Sequence, residues 1–194
     1  MFADVEMKMK KKNKLLFTRD SLCLQELKKL IQEQKHRTLV LWALDSAQAS
    51  LDKFEAKYPD EQRPRICLEL CEKWARGQVK MPKAKRAILD AHAVAKELDD
   101  IEYGLLSQAI GHAGATVHVE THALGLPTYE LTSLVHEYGK DEFEVPVRAK
   151  IDDYYDRLLY WQENTDNQGW DWARFLLDDS KPNKEKLRSE KERK

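Results

Sequence analysis

The chain has little of what β-rich or stapled folds need. Only seven glycines and six prolines occur in 194 residues, too few for the frequent turns of a sandwich or barrel, and no run of β-branched residues marks a strand. Three cysteines, an odd number, do not make a disulfide framework. All three are expected as thiols in a reducing compartment. No stretch approaches the roughly 20 consecutive apolar residues of a membrane-spanning helix. The lysine-rich start, Met7-Lys8-Met9-Lys10-Lys11-Lys12, has no apolar centre of a secretion signal. The expectation is a cytoplasmic protein with no membrane attachment.

Hydrophobic residues make up 42% and charged residues 35%, a balance that suits solvated helices around one core. The reading is all-α: a single-domain, irregular helical bundle or array of seven or eight helices over residues 18–179. A basic N-terminal segment (1–17) precedes it, and a charged tail (180–194), expected to be frayed or disordered, follows. The net charge of −1 hides an asymmetry. Residues 1–14 carry five Lys against two acids and residues 178–194 seven Lys and Arg against five acids, which leaves 21 basic and 27 acidic residues in the body, a net −6. An acidic body favours a basic partner and disfavours nucleic acid.

Periodicity and punctuation place the helices. Leu22, Leu24, Leu27, Leu30 and Ile31 recur at helical spacing over 18–35, and a longer stripe from His36 to Tyr58 carries Leu39, Val40, Trp42, Ala43, Ala47, Leu51 and Phe54. Pro64 and Pro82 sit like first-turn prolines, and Gly77 closes the first of these two helices. Cys67 and Cys71 lie one turn apart in an apolar stripe; with no further cysteine at knuckle spacing they read as small hydrophobes. Helices starting near Pro127 and Pro146 follow, the first closed by Gly139. A short apolar helix is expected over Trp170, Trp172, Phe175, Leu176 and Leu177. Any exposed part of its aromatics would favour a homodimer.

The most informative stretch runs from Gly104 to Gly125, G-L-L-S-Q-A-I-G-H-A-G-A-T-V-H-V-E-T-H-A-L-G. Wound as one helix at about 100° per residue, it sets Gly104, Ser107, Gly111, Gly114, Ala115, His118, His122 and Gly125 on one face. A helix small or apolar on nearly all sides is a buried one, so Gly104, Gly111 and Gly114 are expected at helix crossings. His118 and His122 then project one turn apart beyond the crossing. Two readings stay open: hydrogen-bonded packing residues with no cofactor, or two ligands of zinc or another divalent metal. In the second, His92 supplies a third ligand, with His112 as the other candidate, and the protein is a hydrolase-type helical-bundle enzyme. The zinc-protease signature puts Glu directly after the first His, whereas the acid here is Glu120. That reading fails. No catalytic residue is assigned, because Ser107 lacks a nucleophile elbow and Gly111 and Gly114 are mid-helix, where their amides are already bonded.

Trp74-Ala75-Arg76-Gly77, Ala91-His92-Ala93, Gly111-His112-Ala113, Thr116-Val117-His118-Val119 and His122-Ala123-Leu124-Gly125 occur in that order. Together they resemble a family of bacterial immunity proteins, the Imm-5-like domain, over roughly residues 36–165. The resemblance implies a helical, Ala-rich fold, a toxin–immunity system, and a cognate protein toxin as partner. It also singles out Trp74, His92, Gly111, His112, His118 and His122 by match. The chain departs from the family in its lysine-rich start, in Lys96 where Arg is expected, and in its charged tail. Resemblance and acidic body favour an intracellular protein that binds and neutralises a toxin without catalysis, with Trp74, His92, His112, His118 and His122 around a candidate pocket.

Overall fold

Punctuation along the chain sets where its helices begin and end. A computed structural model describes residues 1–192, and among these there are nine α-helices and no strand. The first seven are α1 (Ala3–Lys10), α2 (Gln25–Glu33), α3 (His36–Lys57), α4 (Arg63–Ala75), α5 (Met81–Glu97), α6 (Ile101–Ala115) and α7 (Gly125–Tyr138). After them come α8 (Glu144–Asn164) and α9 (Lys184–Glu192). Pro64 and Pro82 occupy the first turns of α4 and α5, where a missing N–H costs nothing. Gly77 and Gly139 follow α4 and α7 at φ +71° and +76°, a left-handed backbone that a side chain would strain.

Helix α6 is the hub. It packs against α3, α4, α5 and α7, and nine of its fifteen residues are buried. Asp100 caps it by accepting from the Tyr103 amide at 3.3 Å. Small residues let the neighbours close in. A Cβ on Gly104 would stand 3.4 Å from the Ala95 Cα on α5, and one on Gly114 would stand 2.8 Å from the Cys71 Sγ on α4. Ser107 donates to the Ala91 carbonyl at 2.7 Å, which fastens the α5–α6 crossing.

The core divides into two clusters. One gathers Trp42, Phe54, Leu106, Ile110, Leu131 and Tyr154, between α3, α6, α7 and α8. Trp42 anchors it by donating from Nε1 to the Tyr154 carbonyl at 2.9 Å. The other holds Val40, Cys67, Cys71, Trp74, Ala87, Ala91 and Val117. All three cysteines are buried free thiols.

The structure corrects four expectations. The stretch from Gly104 to Gly125 is not one helix: α6 ends at Ala115, Val119 is extended (φ −161°, ψ 140°), and a short 3-10 turn spans Glu120–His122. Three β-branched residues in close succession, Thr116, Val117 and Val119, weaken the helix at the break. Thr116, Val117 and His118 amides bond three residues back, to Ala113, Gly114 and Ala115, so the ladder tightens and stops. His118 and His122 therefore share no helical face.

The aromatic stretch 170–177 is also not an α-helix. Residues 169–173 are irregular, and a single 3-10 turn covers Arg174–Leu176. The Ala173 amide instead donates to the Ala75 carbonyl at 2.8 Å. Arg76 lies over the Trp170 ring at 5.2 Å and Arg37 over that of Trp172 at 6.0 Å, so these rings are spent on cations of this chain.

The N-terminal segment enters the core. Phe2, Val5, Leu16 and Phe17 are buried, and the Leu16 amide donates to Thr132 Oγ1 at 3.2 Å. The tail, expected to fray, forms α9 instead; residues 193 and 194 lie outside the described residues. Polar contacts hold it. Asn183 caps the helix and donates from its own amide to the Ile31 and Gln34 carbonyls at 2.9 and 3.1 Å. Glu185, fully buried, pairs with Arg19 at 3.0 Å, and Gln32 donates to Ser189 at 2.8 Å. A hydrophobic pattern does not register such docking.

Candidate functional site

The broken segment between α6 and α7 positions the histidines, and the structure sorts them into two groups. His112, from the last turn of α6, lies between His92 of α5 and His122 of the 3-10 turn, with ring centroids 5.1 and 5.6 Å away. Its other side stacks on Tyr129 at 5.0 Å. His118 turns away from this cluster to stack on Trp74 at 6.2 Å. The proposed ligand set of His92, His118 and His122 is thus not the set that assembles. Among the described residues, no three His, Cys, Asp or Glu side chains are grouped to hold a metal ion.

Two glycines make room for the cluster. A Cβ on Gly111 would meet the His92 ring at 2.6 Å, and one on Gly125 would meet the His112 ring at 2.4 Å. Each imidazole occupies a notch that a single methyl would fill. Burial, and then the neighbouring His92 and His122, pushes the His112 pKa down to about 3. Burial lowers His92 and His122 as well. The three rings are neutral at pH 7, and Nδ1 of both His92 and His112 is buried with no hydrogen-bond partner. On the solvent side, His112 and His122 border a shallow cavity of about 360 Å³ with Arg19 and Thr128.

A larger cavity, about 750 Å³, opens on the other side of the connector. Trp74, His118 and Phe175 form an aromatic wall, with Phe175 5.4 Å from Trp74. His36 and Glu120 line the same cavity. His36, the first residue of α3, donates from Nε2 to the Thr116 carbonyl at 2.7 Å, which presents Nδ1 to Glu120 Oε1 at 3.8 Å. The Glu120 side chain is 8% exposed, and its Oε2 is buried with no partner. Burial lowers the His36 pKa against the opposing pull of Glu120.

Sequence reasoning brought Trp74 and the four histidines forward but missed His36 and gave Glu120 no role. His36 is about 80 positions from its carbonyl partner, and only the fold joins them. Glu120 does carry one local signal: it is the sole acid between Glu102 and Glu130.

Fold and site together define a helical protein with a side cavity and a core of neutral, wedged histidines. Residues 29–157 match the family described as "Imm-5 like putative immunity protein", and the chain belongs to that family. The match contains α3 to α7, both histidine groups and Glu120. No curated protein and no solved structure matches the chain.

Proposed function

We propose that this protein neutralises a cognate bacterial toxin by binding it in the cytoplasm of the producing cell, with no catalytic step of its own. Membership of the immunity family carries the reading. Three features of the chain support it. Residues 15–177 carry a net charge of −6 within a chain of net −1, and such an acidic central stretch suits a basic partner. Four helices, α3, α4, α5 and α7, pack around α6 with little free volume at the crossings, a preorganised scaffold that loses little conformational entropy on binding. The cluster of His92, His112 and His122 is slotted into glycine notches as neutral rings.

The test is co-expression with each candidate toxin encoded beside this gene. Growth should be rescued and the two chains should purify together in a fixed ratio. No rescue with any adjacent toxin candidate, with this protein folded and abundant, would overturn the reading.

A further inference from the structure

Among the side chains that line the 750 Å³ cavity, His36 and Glu120 turn acceptors toward each other. His36 spends its Nε2 proton on the Thr116 carbonyl, and since burial keeps the ring neutral at pH 7, Nδ1 offers only a lone pair. Glu120 Oε1 faces that lone pair at 3.8 Å, and Oε2 is buried without a partner. Two acceptor groups turned toward each other without a proton between them are unfavourable, and a buried carboxylate oxygen with no donor costs about 1–3 kcal/mol. A donor-rich guest relieves both at once. Rotation about the terminal torsion of Glu120, a soft coordinate, presents either oxygen to the cavity.

The surroundings define that guest. The aromatic wall of Trp74, His118 and Phe175 suits a flat, weakly hydrated cation more than a compact ammonium, and a guanidinium alone among side-chain cations offers several donors in one plane. Of the lysines that line the cavity, Lys35 pairs with Asp166 and Asp179 and Lys181 with Asp178, while Lys184 is near enough to His36 to act against a positive charge on its ring; Glu33, Asp178 and Asp179 line the same cavity beside Glu120 and offset them. We propose that this cavity is a receptor for an arginine side chain of the partner protein, whose guanidinium is held by Glu120 and His36 against the Trp74–Phe175 wall. The proposal rests on the toxin-binding reading for the identity of the partner, though not for the chemistry of the cavity.

The probe is N-acetyl-arginine methylamide, titrated into the free protein while the Trp74 indole N–H is followed by NMR. Its neutral citrulline counterpart is the control. Saturable binding with a dissociation constant in the millimolar range is expected for the arginine compound, together with at least about tenfold weaker binding of the citrulline compound. Glu120→Gln, which keeps the volume and removes the charge, should weaken arginine binding about tenfold or more; Phe175→Ala, at an exposed position, should weaken it several-fold without unfolding the chain. Equal binding of the two compounds, or no shift in the folded wild-type protein at 50 mM probe (about fifty times a millimolar constant), would overturn the proposal. In the co-expression assay Glu120→Gln should lose rescue. If wild type rescues and folded Glu120→Gln rescues equally well, the arginine anchor is refuted and toxin binding stands.

Discussion

Gly114 offers a perturbation whose sign depends on the tertiary structure. In an isolated helix, Gly→Ala stabilises by about 1 kcal/mol, because alanine has less backbone entropy to lose. In α6 the added methyl would stand 2.8 Å from Cys71 Sγ, 3.1 Å from Cys67 Sγ and 3.5 Å from Cys71 Cβ. Both thiols are fully buried, so neither swings into solvent, and overpacking of this kind costs roughly 1–3 kcal/mol. The balance runs from near zero to a loss of about 2 kcal/mol, so the propensity gain is cancelled or reversed and Tm falls by up to a few degrees for a domain this size. The assay is urea and thermal unfolding of Gly114→Ala, Cys71→Ala and the double variant. Cys71→Ala removes the obstructing sulfur and leaves a space that the new methyl fills. The double variant should therefore be more stable than the sum of the singles by about 1 kcal/mol or more. If Gly114→Ala gains the full propensity term, or if the two substitutions simply add, the close α4–α6 crossing is not what constrains this position.

Acid should destabilise the fold through the histidine cluster. The His112 pKa of about 3 lies below its ordinary value of 6.5, so the unfolded chain takes up the proton first as pH falls. Stability is then flat above about pH 7 and declines through the range from 6.5 to 3, with about 2 kcal/mol lost at pH 5 from His112 alone. His92 and His122 add in the same direction. Urea unfolding at pH 7 and 5 measures the effect, and His112→Phe, which keeps a ring against Tyr129, should flatten the curve; an unchanged pH profile would refute the assignment. Arg19→Ala should release α9, because it leaves the Glu185 carboxylate buried without its cation. Hydrogen exchange is the check: amides of residues 184–192 should exchange at least about tenfold faster, while those of α6 stay protected.

Much of the fold is legible in the sequence where a local rule and the tertiary environment agree. The prolines at 64 and 82 and the glycines at 77 and 139 mark helix ends by backbone preference alone, and the apolar stripes of α3, α4 and α5 face the core as their period requires. The rule fails where the signal is polar or balanced. α9 docks through Asn183, Glu185 and Ser189, which a hydrophobic pattern reads as solvated. The run Thr116-Val117-His118-Val119 belongs to a stretch so uniformly small and apolar that the helical pattern passes over the break. The motif residues were visible, but their grouping was not: His118 joins Trp74, while His112 takes the central place among His92 and His122.

The sequence by itself determined an all-helical chain, the starts of α4 and α5 and the stops after α4 and α7, a buried small-residue helix at the centre, and an ordered set of histidines belonging to an immunity family. These follow from backbone preference, side-chain volume and apolar period, which act within a few turns of helix. Only the tertiary structure decided that Gly111 and Gly125 are notches for imidazole rings, and that Glu120 meets His36 in the larger cavity. Those relations depend on which helices cross and how closely, and the contacts that fix them join residues far apart in the chain.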